Sequence, residues 1–441
     1  QQFANRCYGP IFGNGLAAWH GQGGNFWGHN AIIRTEAFAA CCRLPHLAGK
    51  PPFGGDILSH DFVEAALLRR AGWGVRFDTD LRHSFEEAPP SLIDVMVRDR
   101  RWCQGNLQHS RIVTATGIPA ASRLHMLSGI LGYLSAPVWL MLVALGLALA
   151  VQVALSGPDY FPGPTLFPIW PVFESERAIQ LFILSMAVLL TPKFLGWLAA
   201  MINLRRCRAF GGPMLLTLSV AAEVILSALY APVLMLVQTQ CVWQVLRGGD
   251  SGWKPQRRDD GEMSMKDACH IHFRHAAIGI VAAVGTWAID SGLFFWTLPV
   301  AGALILSPFT SWLSGRKSVG LFLRRLGILR TPEESGKYSP GILGRRQAYL
   351  GWAYGLRRDS DCLSSLAADP AFNTWHLMQR IEQPENTLFD PALVVARAKA
   401  AQEADPARLS HWLTRSEKRA FLQDPDLVAG LIAEEPQLLQ A

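Results

Sequence analysis

Between Leu127 and Leu313 the chain holds a series of apolar runs, several of them of the ~20 residues that a helix needs to cross a bilayer. One covers about Leu127 to Val153, and a second about Ala178 to Asn203 with Pro192 and Lys193 in its middle. A longer one extends from Met214 to Leu246. A last pair, about Ala276 to Ile289 and Leu293 to Leu313, is joined by a short turn at Asp290-Ser291-Gly292. In lipid, backbone polar groups must be paired within the segment, so these runs predict helices. Only 17% of the 441 residues are charged, against about 25% in an ordinary soluble protein. The expectation is a membrane domain over 124–313, flanked by non-membrane material over 1–123 and 314–441.

Lys and Arg bias predicts the orientation. Arg98, Arg100, Arg101, Arg111 and Arg123 precede the first run, and Arg205, Arg206 and Arg208 follow the second. The loop 247–275 carries Arg247, Lys254, Arg257, Arg258, Lys266 and Arg274, and the tail opens with Arg316, Lys317, Arg324 and Arg325. These segments read as cytosolic, and the proline-rich connection from Leu155 to Arg177 as external. Met214 to Leu246 must then cross an even number of times. Two short helices hinged at Ala231-Pro232 satisfy that parity, and so does one helix lying in the interface. The hinge is the favoured reading and brings the total to about six crossings.

The net charge of +6 sits at the edges of apolar runs, not among aromatics, so nucleic acid is not an expected partner. The eight cysteines form no CxxC pair or zinc spacing and read as reduced and structural. The chain opens Gln1-Gln2-Phe3, without an initiator Met or a charged signal region, and so reads as entered in the middle of a domain. Residues 1 to about 115 read as mixed α/β. A helix is expected from Asp61 to Ala71, closed by Gly72, and a strand from Trp73 to Phe77. The tail reads as helix-rich, with a surface helix at Leu393 to Ala404 and no evident chemistry.

Three stretches could carry chemistry. In VRDRRWCQ, Val97 to Gln104, Arg98 and Arg101 share a helical face with Trp102. Arginine pairs bidentately with phosphate oxygens, and an indole offers a flat face to a sugar ring. A basic collar with an interfacial Trp would look the same. In Ser59-His60-Asp61, Asp61 suits either a helix cap or a general base that takes the proton of an attacking hydroxyl. His60 is a neighbour that could tune it, or an ordinary half-buried histidine. In Phe26 to Arg34, Gly28 allows close approach of a ligand and Asn30 offers a donor and an acceptor. A turn leading into a strand is the plainer reading of the same residues.

In this order, followed at once by membrane helices, the three stretches resemble glycosyltransferase family 2. The family's G-x-N-x-x-x-R pattern is met by Gly28, Asn30 and Arg34, and its T-E-D by Ser59-His60-Asp61, with only the Asp kept. Its Q-x-x-R-W falls on Arg98 to Trp102, with Arg98 in place of Gln. Within the family, SHDFVEAALLRRAGWGV, RDRRWCQGN and GYLSAPVWLM are similar to synthases of periplasmic glucans. The likeness runs to about Ser335.

The resemblance implies the C-terminal half of a GT-A-type α/β domain, then a multi-pass membrane domain and a helical cytosolic tail, in a bacterial inner membrane. It implies transfer of glucose from UDP-glucose to a growing β-glucan, with Asp61 as base. Gly28, Asn30, His60, Arg98, Arg101 and Trp102 would line the donor and acceptor sites. Arg257, in a gating loop Ser251 to Cys269, would close over the donor. A Mg2+ or Mn2+ ion is implied, held mostly upstream of this chain. The lipid bilayer and a periplasmic glucan-processing protein are the further partners implied. Asp78-Thr79-Asp80 has the form of the family's metal motif, but it follows the catalytic Asp in chain order and reads as a strand-end pair. Two other classes remain open. Lys193 and Glu223 within apolar runs would suit a transporter, and other polysaccharide synthases share these motifs.

Overall fold

The computed structural model describes residues 1–81, 86, 88–156, 175–250, 262–335, 341, 344–346, 348–352, 361–379 and 390–432. The chain divides into two compact units, Gln1–Tyr338 and Ser339–Ala441.

The first unit begins with α1 (Gln2–His20), α2 (Thr35–Cys41), α3 (His60–Arg70) and α4 (Leu92–Gln108), which runs into a short 3₁₀ turn, His109–Arg111. The long helices α5 (Ala120–Ser156) and α6 (Ser175–Ile202) follow, then α7 (Leu204–Ala209) and α8 (Pro213–Leu246). It closes with α9 (Met265–Ile289), α10 (Ser291–Ile305), α11 (Ser307–Ser314) and α12 (Lys317–Leu326). α5, α6 and α8 are each long and apolar enough to cross a membrane, and α10 with α11, bent by 50°, makes a fourth candidate.

The described residues are mostly helical and include no β-strand. The strand expected over Trp73–Phe77 reduces to one parallel bridge between Gly23 and Val75. Gly24 N–H donates to Val75 at 2.8 Å and Val75 N–H to Gln22 at 3.0 Å. A strand needs a partner along its length, and only Gln22 to Gly24 lies alongside. α3, by contrast, closes as expected. Gly72 takes φ 89°, its N–H reaches the Arg69 carbonyl at 3.1 Å, and Trp73 N–H reaches Leu68 at 3.0 Å. That is the paired closure which a left-handed glycine permits.

The expected hinge in the Met214–Leu246 run does not form. α8 is one helix of 34 residues with Pro232 inside it. The proline removes one hydrogen bond, but Pro232 and Val233 are buried, and Val233 packs with Leu92 of α4 and Leu304 of α10. Packing therefore covers the helix where the proline costs a hydrogen bond.

Both halves of α8 are covered by elements from outside the apolar runs. Near its start, Leu216 joins Phe3, Cys7 and Tyr8 of α1, Ala200 of α6, and Cys207 and Phe210. Near its end, Val237, Cys241, Val242 and Val245 enclose Cys103 and Leu107 of α4 together with Ile130 of α5. A charged clasp adds to the first of these contacts. Lys193 Nζ donates to both Glu223 oxygens at 3.0 and 2.9 Å and to Ser227 Oγ at 3.1 Å, while Ser227 and Tyr8 donate to the carboxylate at 2.7 and 3.0 Å. Burial, then the Glu223 charge, push the Tyr8 hydroxyl upward, so it stays protonated and donates. The two charges read as marks of an ion path therefore neutralise each other. Gly196 makes room, since a Cβ there would lie 2.9 Å from Tyr8 Cα.

The second unit has α13 (Cys362–Ala368), α14 (Pro370–Met378), α15 (Pro391–Ala400), α16 (Pro406–Trp412), α17 (Arg415–Gln423) and α18 (Pro425–Gly430). Four of them start with Pro directly after a capping Asp: Asp369, Asp390, Asp405 and Asp424. The Asp oxygen takes the first free N–H groups, and proline at the first position lacks one. α15 is the surface helix expected over this stretch, and it docks through Ala396, which is fully buried with Leu363, Leu409, Phe421 and Val428.

Breaking the clasp on one side should cost more than removing it whole. Glu223→Ala leaves an ammonium without its partner in a mostly buried site, a loss of about 3 kcal/mol. The pair Lys193→Met with Glu223→Leu should recover most of that loss, as read by thermal unfolding of the full-length protein in detergent. Equal losses for the single and double variants would show that the charges do not act as a pair.

Candidate active site

Asp61 lies in the first turn of α3, where free backbone N–H groups face outward. Burial pushes its carboxyl above the usual Asp range, and backbone N–H groups, His60 and His109 pull it only part of the way back. Gly28 meets it from the other side. Its φ is 80°, and a Cβ built there would lie 3.4 Å from Asp61 Oδ2. Trp27 stands edge-on to Phe62 at 6.4 Å and to Phe77 at 5.7 Å.

The loop entering α3 is laced onto the end of α4. Gln108 is fully buried; it accepts from Leu58 N–H at 3.0 Å and donates to the Asp56 and Gly54 carbonyls at 3.0 and 3.4 Å. His109 Nε2 donates to the Ser59 carbonyl at 2.9 Å. Burial pushes His109 downward, against the pull of the Ser59 carbonyl and of Asp61. Ser59 itself rests on Gly105, where a Cβ would lie 2.2 Å from its Oγ.

α4 is in turn fixed to the long helices. Asp99 accepts from Tyr133 of α5 at 3.0 Å and from Gln238 of α8 at 2.7 Å, and Gln104 donates to Asp250 at 2.8 Å. Between these anchors, the Arg98 guanidinium lies over the Trp102 ring at 4.3 Å, and its Nε is buried without a partner among the described residues.

Residues 12–154 match the family model described as Glycosyl transferase family group 2. Over that segment the chain is similar to glycosyltransferases of family group 2. It is 44% identical over 450 residues to a glucans biosynthesis glucosyltransferase H of Vibrio cholerae, covering 99% of this chain and 61% of that protein. Proteins of the same name from Shewanella oneidensis and Shewanella baltica are 43% and 47% identical, over 98% of this chain and 60% of theirs. The chain thus spans about three fifths of the length of these relatives. No solved structure matches it.

Of the family 2 motif residues, Gly28 and Asp61 come together, and Arg98, Arg101 and Trp102 lie within one turn of α4. Others turn elsewhere. His60 pairs with Glu64 at 3.0 Å. Asn30, at φ 53°, reaches Glu86 at 3.4 Å. Arg34 sits over Trp73 at 5.6 Å. Arg257 and Trp253 lie outside the described residues. The segment 251–261 is flanked by Asp250, held by Gln104, and by Met263, which shares a cleft with Ile93. Its two ends therefore reach α4 about 17 Å apart along the helix, on either side of Arg98, Arg101 and Trp102. Family 2 enzymes generally use a divalent metal. Among the described residues no three His, Cys, Asp or Glu side chains could hold one. Asp78 of the D-x-D string pairs with Arg76 at 3.8 Å instead. The described residues thus form no metal centre of their own.

Sequence reading did not find Asp99, Gly105, Gln108 or His109. Glycine inside a helix carries a conformational penalty that usually marks a close approach, so Gly105 was the one available signal.

Gly105→Ala should push Ser59 and the start of α3 off α4. A base displaced by about 1 Å costs on the order of 10²-fold in turnover, so activity in membranes should fall by about that much while the amount of folded protein changes little. Ser59→Gly in the same chain should restore part of the rate. Loss of folded protein in step with activity would count against this positioning role.

Proposed function

We propose that this chain supplies the acceptor-side part of a membrane-embedded glucosyltransferase, which moves glucose from UDP-glucose to a growing β-glucan and passes the product outward between its membrane helices. The observation that carries this reading is the Asp61 carboxylate, raised by burial, in contact with Gly28 and locked through α4 to α5 and α8. The relatives' name, glucans biosynthesis glucosyltransferase, supports the sugar and the product class.

In the proposed reaction Asp61 takes the proton of an acceptor hydroxyl as that oxygen bonds to the anomeric carbon. The bond from that carbon to the donor phosphate oxygen breaks, and the nucleoside diphosphate leaves with the electron pair. Arg101 pairs with the pyrophosphate, where a planar guanidinium can bind two oxygens at once. Arg98 already covers one face of Trp102, which leaves the other face for an acceptor sugar. His60 and Asn30 act at the rim, paired with Glu64 and Glu86, and Arg257 is assigned to the donor on the strength of the family resemblance alone.

We infer further that α8 lies along the cytosolic face of the inner membrane instead of crossing it. Soluble elements cover it near both ends, and basic residues flank it on both sides. α5, α6, α9 and α10–α11 would then make four crossings, with the catalytic part and the tail inside. Cysteines introduced at Gly212 and Gly248 of the full-length protein should both label from the cytosolic side. Labelling from opposite sides would make α8 a crossing.

Asp61→Asn should retain donor binding and lose about 10² to 10⁴-fold in turnover, the usual share of a general base. Near-normal turnover would remove Asp61 from the role. The direction of its shift also fixes a pH dependence. A carboxyl raised in the folded state binds its proton more tightly there than in the unfolded chain. Its contribution to stability is full below the unfolded value and is lost as pH rises through the folded one. Asp61→Asn should therefore match the parent in Tm at acid pH and exceed it at neutral pH.

A further inference from the structure

α12 has the most sharply divided composition of any described helix. Val319, Phe322, Leu323 and Leu326 fall on one side at helical spacing, while Lys317, Arg324 and Arg325 fall on the other. It buries no residue, and Phe322 and Leu326 are 59% and 48% exposed. A short soluble helix normally hides such a stripe against a core. This one has no core to cover it among the described residues.

Its position accounts for the open stripe. α10 and α11 together pass as a membrane span and end at Ser314, three residues before α12 starts. The junction carries the marks of a membrane interface. Phe309 and Trp312 lie 5.8 Å apart, with the Arg316 guanidinium over Trp312 at 4.4 Å. Aromatic rings and arginines collect at the headgroup level.

α12 is also held in place at its far end. Gly327, in the left-handed region at φ 76°, ends the helix, and a Cβ there would lie 3.0 Å from Leu215 of α8. Leu329 N–H then donates to Ser219 Oγ at 2.9 Å, and Arg6 pairs with Glu333 at 2.5 Å. With both ends anchored, the helix is not free to roll its apolar stripe onto the protein.

We propose that α12 is a membrane-surface site for anionic lipid. Phe322 and Leu326 enter the acyl boundary, and Arg324 and Arg325 pair with headgroup phosphates. Charge complementarity and continuity with the preceding span both favour lipid over a protein partner. An interfacial helix with a basic polar face binds by its apolar area plus its attraction to anionic headgroups, and each basic residue near the surface adds roughly fivefold to that preference.

The test uses the full-length protein in proteoliposomes of phosphatidylcholine with or without phosphatidylglycerol, with a fluorescent label at Phe322→Cys or, as the control on the opposite side, Gly320→Cys. The label at 322 should be quenched by a lipid-borne nitroxide, more strongly when phosphatidylglycerol is present, and the label at 320 by aqueous iodide. Arg324→Ala with Arg325→Ala should reduce the phosphatidylglycerol effect at 322 by an order of magnitude or more. Quenching at 322 by iodide would place the helix in water. Protection from both quenchers would show another protein surface covering it, and either result overturns the proposal.

Discussion

Asp99 is the point on which the arrangement turns. Its carboxylate accepts one hydrogen bond from α5 and one from α8, and a hydrogen bond to a charged group contributes about 1.5–3 kcal/mol. Those two bonds hold α4 against the long helices while the far end of α4, through Gly105, Gln108 and His109, holds the loop that delivers Asp61. One helix therefore carries both the contact with α5 and α8 and the positioning of the carboxylate. Its Arg98–Trp102 pair lies beside Asp99 on the same helix.

This makes sense of a string with so many arginines. Arg98, Arg100 and Arg101 surround Asp99 in sequence, and a lone carboxylate among them would ordinarily be read as their neutraliser. The structure instead directs Asp99 to neutral partners, Tyr133 and Gln238. Arg98 stacks on an indole and is not neutralised by a neighbour within its own helix. Positive charge is thereby kept beside Trp102.

Much of this was legible in the sequence where the controlling physics is local. Gly72 closes α3 as a left-handed glycine should, the face shared by Arg98 and Trp102 follows from their spacing of four, and the apolar runs became helices at their expected places. What could not be read depends on residues far apart in the chain. Asp99 and Gln238 are 139 positions apart, and nothing in either neighbourhood announces the other. The hinge at Pro232 was a fair reading of a local penalty that packing against Leu92 and Leu304 then outweighed. The strand at Trp73–Phe77 had suitable residues and almost no partner. Glu223 and Lys193 were conspicuous as charges in apolar runs, but that they meet, and that Tyr8 joins them, is tertiary information.

The unbroken course of α8 has a geometric consequence. Glu223, held by α1 and α6, and Gln238, which holds α4, ride on the same rigid rod, fifteen residues or ~22 Å apart. Inserting one residue between them would swing one attachment about 100° around the rod relative to the other. No side-chain adjustment could absorb that swing. The interval from Glu223 to Gln238 therefore behaves as a fixed gauge between the clasp with α1 and α6 and the attachment of α4.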